Sequence, residues 1–199
     1  MRYIIVDIET DGPRPGAHSM LSLAAVAMDQ NGTAGASFAC NLHTLPDTAP
    51  DPATEAWWRK RPGAWATARR DARAPKEAIT QFVTFVRDFP APRVLVAHPL
   101  LFDGPWIDHY LRRFAGIALM EGHGMADPLF FGAGIDLPSF VSGALDLPYP
   151  DCRHGRYPPG VASEHPHTHR APDDARGHAD VLSRTLRSIR TGKDPVPRP

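Results

Sequence analysis

Cysteine is scarce in this chain of 199 residues: there are two, Cys40 and Cys152, far apart in sequence and outside any C-x-x-C pair. That excludes a disulfide framework, and both are expected to be free thiols. No apolar run approaches the roughly 20 residues that a membrane-spanning helix needs. The opening MRYIIVDIET runs straight into a strand pattern without a basic leader, so a soluble, cytoplasmic chain with no membrane partner is expected. Net charge is also lacking, with 22 Lys and Arg against 22 Asp and Glu. A protein that coats long nucleic acid by bulk electrostatics is thereby disfavoured. No internal repeat is found.

What charge there is lies unevenly. Residues 51–93 carry 9 bases to 5 acids and residues 151–199 carry 9 to 6, whereas 1–50 carry 2 to 5 and 94–150 carry 2 to 6. Acids that hold cations beside flanking arginines that receive phosphates would give this separation, and so would a random surface. Length and composition, 42% apolar and 22% charged, suit one domain over residues 1–190, with the proline-rich 191–199 as a disordered tail.

Residues 2–9, 19–29 and 34–42 are β-branched or small-apolar runs split by DGPRPG and QNG, which predicts three consecutive antiparallel strands. Helical spacing follows over 75–88, at Ile79, Phe82, Val83 and Val86. RVLVAH near 93–98 reads as a short buried strand. Gly104 to Phe114 reads as a helix, Asp136 and Pro138 as the cap and first turn of another, and 172–189 as a last amphipathic helix. The fold class is therefore α/β, a central mixed sheet of about five strands flanked by helices. Residues 43–64 and 147–168 read as long loops, candidates for substrate contact.

The chemistry starts in YIIVDIE, where a two-residue period sends Asp7 and Glu9 to one face and Ile4, Val6 and Ile8 to the other. Partly buried, such carboxylates repel until protonation or a cation relieves them, and hard oxygen ligands suit Mg²⁺ or Mn²⁺. Solvated acids on an edge strand would show the same alternation. Asp103, after a buried strand and at a helix start, fits a helix N-cap equally well. Asp174 falls in the first turn of the last helix, where the dipole favours a carboxylate. His169 precedes that helix, and a neutral imidazole there can take a proton from water near pH 7.

Taken in order, DIET, LLFD and HRAPDDA resemble the motifs of the DEDDh exonucleases, in the RNase T-like, ribonuclease H-like superfamily. The resemblance spans about residues 2–185, and HRAPDDA matches its most specific pattern, H-x-A-x-x-D-A. Many members have Asn directly after the His of the middle motif, where this chain has Pro99. TEAWWRKRPGAW and HPLLFDGPW are more similar to a divergent bacterial branch of 3′-5′ exoribonuclease-like proteins.

The resemblance implies a ribonuclease H-like fold and metal-dependent 3′-5′ exonuclease activity on single-stranded RNA or DNA ends, releasing nucleoside 5′-monophosphates. It implies two divalent cations, Mg²⁺ or Mn²⁺, held by Asp7, Glu9, Asp103 and Asp174, with Asp7 shared between them and His169 deprotonating the attacking water. It also implies a homodimer in some members. Thr10 is suggested as a donor near the terminal nucleotide. Phe102 and Trp106 are candidates for stacking on a base, with core packing as the competing explanation. Trp57 and Trp58 with Arg59, Lys60 and Arg61 form an aromatic-basic cluster that either grips a strand or buries one Trp beside solvated bases.

Three rivals share parts of this pattern. A nucleotide phosphohydrolase would need the same carboxylates, and a non-catalytic nucleic-acid-binding module would keep the fold without turnover. A zinc site at His165, His167 and His169 would use their strand-like alternation, although no Cys accompanies them.

Overall fold

A computed structural model describes residues 1–122 and 127–192 of the chain. Its frame is a five-stranded sheet in the order β3-β2-β1-β4-β5. β1 (Arg2–Thr10), β2 (Met20–Asp29) and β3 (Ala34–Asn41) form an antiparallel meander, as their composition predicts. β4 (Arg93–Ala97) then joins β1 in parallel, and the two-residue β5 (Ile135–Asp136) joins β4.

The period-two pattern of β1 decides what covers each face. Ile4, Val6 and Ile8 pack with Ile79, Phe82 and Val86 of α3 (Pro75–Arg87) and with Trp106, Ile107 and Tyr110 of α4 (Leu100–Ala115). Tyr3 and Ile5, on the opposite face, pack with Leu137 and Val141 of α5 (Leu137–Leu145) and with Ala171, Ala175 and Leu182 of α6 (Ala171–Thr191). Two apolar layers therefore sandwich the sheet. Asp7 and Glu9, being odd-numbered, inherit the α6 side.

Two expectations need correction. Residues 43–64 are not one loop, because they contain α1 (Pro52–Arg59) and the start of α2 (Pro62–Arg69). Both begin with a proline, whose missing N–H costs nothing at that position, and Asp51 caps α1 by accepting from Thr54 N at 2.8 Å. α4 starts at Leu100 rather than Gly104, so Asp103 lies within its first turn and is not its N-cap, a place taken by Pro99. The 147–168 stretch does lack long elements, with a single 3₁₀ turn at Tyr149–Asp151. Of the expected disordered tail at 191–199, Thr191 closes α6 and Gly192 follows it, while 193–199 lie outside the described residues.

α1 is tied to the end of β1 by Trp58, buried to 2% exposure, whose Nε1 donates to Thr10 O at 2.9 Å. Gly12 follows, where a Cβ would come within 2.2 Å of the His18 ring, so a side chain is excluded by contact. Phe82, between α3 and the sheet, is the largest fully buried side chain of α3. Phe82→Ala is expected to lower unfolding stability by about 3–5 kcal/mol, the usual cost of a large buried cavity. Urea denaturation followed by tryptophan fluorescence measures it.

Candidate active site

β1 outruns its parallel partner. Pairing with β4 ends at Ile5, so the rest of β1 continues along the edge of α4. Asp103 meets it there, its Oδ1 accepting from Ile8 N at 3.1 Å in a fully buried bond. One side chain thus satisfies a backbone donor that the sheet leaves over. Asp103 and Asp174 are almost wholly buried, and Asp7 retains 9% exposure.

From the other face, α6 brings Asp174 to β1, and carboxylate oxygens of Asp7, Glu9 and Asp174 lie within 4.8 Å of one another. Asp174 is itself held, accepting from Thr168 N at 2.9 Å and lying 3.0 Å from His167 Nδ1. Among the described residues, no Lys or Arg forms a salt bridge with any of the four acids.

Their proton affinities record the consequence. Burial first, then the charges of Asp103, Glu9 and Asp174, push Asp7 far above the ordinary carboxylate range. Burial and the neighbouring Asp174 and Asp103 raise Glu9 to about 8. Burial raises Asp103 to about 8 against the opposing pull of the Ile8 N–H. A converging set of oxygen donors without a protein cation fits Mg²⁺ or Mn²⁺ well.

His169 takes a left-handed backbone, φ 55°, at the turn into α6. Its ring meets the edge of Trp57 at 4.8 Å and of His167 at 4.3 Å between centroids. Trp57 in turn carries the Arg61 guanidinium 3.9 Å above its face, a cation-π contact. Burial, His167 and Arg61 all lower the His169 pKa, which keeps the imidazole neutral. Trp57 was singled out in sequence only as part of an aromatic-basic cluster. The structure separates that pair, burying Trp58 and setting Trp57 against His169.

The remaining candidates divide. Thr10 is buried at the end of β1, its Oγ1 donating to Gly12 O at 2.8 Å. Phe102 is 39% exposed beside Asp103. Trp106 is 1% exposed within the α3-α4 layer, so core packing accounts for it and no face is open to a base. The zinc trio also needs correction: His167 and His169 converge with Asp174, while exposed His165 stays outside, its backbone N held by Ser163 Oγ at 2.9 Å.

Sequence reasoning missed a further group, His98, His154 and His178. His154 Nε2 and His178 Nε2 are 2.9 Å apart, and the His98 and His178 rings stack at 4.9 Å. Burial and the neighbouring imidazoles lower His154 to about 4 and His178 well below its ordinary value, and burial lowers His98.

Solved structures with a similar fold include 3′-exonucleases and exonuclease I. The nuclease domain of 3′hExo, a DEDDh family member bound to rAMP, superposes with a TM-score of 0.68 at 10% identity over 97% of this chain and 94% of that one. E. coli exonuclease I in complex with a dA16 oligonucleotide gives 0.63 at 14% identity, covering 96% of this chain and 42% of that one. Exonuclease I from Methylocaldum szegediense gives 0.63 at 17% identity, with 96% and 41% covered. The chain spans 65% of the 3′-exonuclease solved for its recognition of a histone mRNA stem-loop, and about two fifths of the exonuclease I chains. No curated protein matches the sequence.

The fold is that of solved 3′ exonucleases, one of them a DEDDh family member. The chain belongs to the Rv2179c-like 3′-5′ exoribonuclease domain family, whose pattern matches residues 2–186.

Because the folded carboxyls bind protons more tightly than unfolded ones, they favour folding below the ordinary carboxylate pKa, and that contribution is lost as pH rises through about 8. The chelator-treated protein is therefore expected to lose thermal stability between roughly pH 5 and pH 8. Added Mn²⁺ should raise Tm far more at the upper end, and a pH series of melting curves with and without Mn²⁺ checks the sign.

Proposed function

We propose that this chain is a divalent-cation-dependent 3′-5′ exonuclease that releases nucleoside 5′-monophosphates from single-stranded RNA or DNA ends. The observation that carries the reading is the convergence of Asp7, Asp174 and half-buried Glu9 at the end of β1, with buried Asp103 bonded to the same strand and no Lys or Arg paired with them among the described residues, beside His169, whose surroundings disfavour protonation. Asp7, Glu9, Asp103 and Asp174 would hold two cations. When bound, they supply Lewis-acid charge at the scissile phosphate and lower the pKa of a coordinated water.

His169 acts as the general base. Its neutral nitrogen accepts the proton of the attacking water, and Trp57 limits the tilt of the ring from one side. Arg61, stacked on Trp57, keeps a positive charge nearby and so opposes protonation before the reaction. Phe102 offers an exposed ring next to Asp103 on which the terminal base stacks, a contact worth about 1–3 kcal/mol in single-strand binders. Thr10 holds the turn after β1 through its bond to Gly12 O, and contact with the terminal nucleotide would require its hydroxyl to leave that bond.

3′hExo was solved with rAMP and E. coli exonuclease I with dA16, so both sugars enter the test. Matched 5′-labelled RNA and DNA single strands, incubated with Mg²⁺ or Mn²⁺, are expected to shorten one nucleotide at a time from the 3′ end. Release of the 5′ label as a mononucleotide at the outset, or cleavage of free nucleotides alone, would defeat the proposal. Asp7→Ala should abolish activity while leaving the melting temperature in chelator unchanged or higher, since it relieves repulsion.

His169→Ala should lower kcat by about 10²–10⁴-fold and flatten the acid limb of kcat/KM, a limb expected below the pH of an unperturbed imidazole. Metal titrations distinguish the roles. His169→Ala should leave the Mn²⁺ concentration for half-maximal rate nearly unchanged, whereas Asp174→Ala should raise it at least about tenfold. A comparable shift in both variants would make His169 a ligand instead.

A further inference from the structure

We propose that His98, His154 and His178 form a separate transition-metal site of the Zn²⁺ type, which clips the irregular 147–168 segment to the body of the domain. It goes beyond the nuclease reading and does not depend on it.

The three imidazoles come from three places. His98 directly follows β4, His154 lies within 147–168, and His178 sits near the middle of α6. Each offers one ring nitrogen within 4.8 Å of the other two. Zn²⁺ with nitrogens at about 2.0–2.1 Å in tetrahedral geometry needs them roughly 3.3 Å apart, so small ring shifts suffice. A neutral imidazole carries a lone pair on one ring nitrogen, the donor such a cation takes. With nitrogen donors and no carboxylate in the set, Zn²⁺, Co²⁺ or Cu²⁺ is favoured over Mg²⁺ or Mn²⁺.

Two further contacts are those that orient metal-bound histidines. His178 is 1% exposed and its Nδ1 lacks a well-formed hydrogen bond, although the Val6 backbone lies near the ring. That nitrogen faces Asp7 Oδ1 at 3.7 Å, a distance that a slight tilt closes. Ligation through Nε2 would fix the proton on Nδ1 and aim it at the carboxylate, the carboxylate–histidine–metal arrangement common at such sites. On the other side, Tyr157 Oη lies 3.0 Å from His98 Nε2 and steadies that ring. Tyr157 belongs to the same irregular segment and is itself buried against the α5-α6 layer.

A site of this kind has a clear job. Residues 152–170 contain no helix or strand, yet they deliver Thr168, His167 and His169 to Asp174 and Trp57. A metal clip at His154 shortens the free loop whose ordering the fold must otherwise provide.

The test uses the full chain, stripped with chelator and then kept in millimolar Mg²⁺ so that the carboxylates are filled. Titration with Co²⁺ is expected to give the intense visible bands of a four-coordinate ion, saturating at about one per chain and erased by one equivalent of Zn²⁺. Glu9→Gln should retain these bands. His154→Ala should lose them and weaken Zn²⁺ binding more than about 100-fold, beyond the loss of an orienting partner alone. Zn²⁺ should also slow protease cleavage within 147–168 in the wild type. The proposal is overturned if the wild type gives no four-coordinate Co²⁺ spectrum, or if Glu9→Gln removes it, since the ion would then sit on the carboxylates. The wild-type titration decides even if His154→Ala fails to fold. The digestion assay is read separately, so a missing zinc site leaves the nuclease reading standing.

Discussion

Mutual repulsion among buried carboxylates is the constraint around which this protein is arranged. Asp7, Glu9, Asp103 and Asp174 share the end of β1, and the raised proton affinities of Asp7, Glu9 and Asp103 express what it costs to charge them there. The chain counters with geometry. Apolar layers on both sheet faces fix β1, the Ile8 N–H holds Asp103, and Thr168 N with His167 holds Asp174. Each support lets a carboxylate stay in place without a basic side chain that would compete with a cation.

The proposed base, His169, is governed by a different device. His169 is flanked by another histidine and, through Trp57, by an arginine, so its surroundings disfavour the imidazolium from two directions. Its carboxylate neighbour Asp174 pulls the other way and is the smallest of the four influences. The aromatic spacer matters because it brings the arginine's charge close while occupying the arginine's flat face.

Much of this was legible in the sequence, and the limits have physical causes. Alternation in YIIVDIE announced both the strand and the face its acids share, because β1 is buried on both sides and tolerates no slip. The last helix was legible from its apolar stripe and from Pro172 in its first turn. α1 and α2 were not, since eight residues make barely two turns and leave no periodicity to read. Asp103 looked like a cap because the signal for a cap and for a carboxylate at a helix start is the same residue in the same place. Only its bond to Ile8, 95 residues away, distinguishes them. Trp106 shows the reverse difficulty, an aromatic near the motif that the interior claims. His98, His154 and His178 were invisible as a group, because what unites them is the path of a segment without regular structure.

The bond between Ile8 and Asp103 also sets an order of assembly. It joins groups 95 residues apart, and Asp174 comes from a helix later still in the chain. A fragment that stops short of residue 169 carries three of the four acids and neither His169 nor Asp174. Completing the acid cluster is therefore a late, long-range event, possible only once β1, α4 and α6 have packed together.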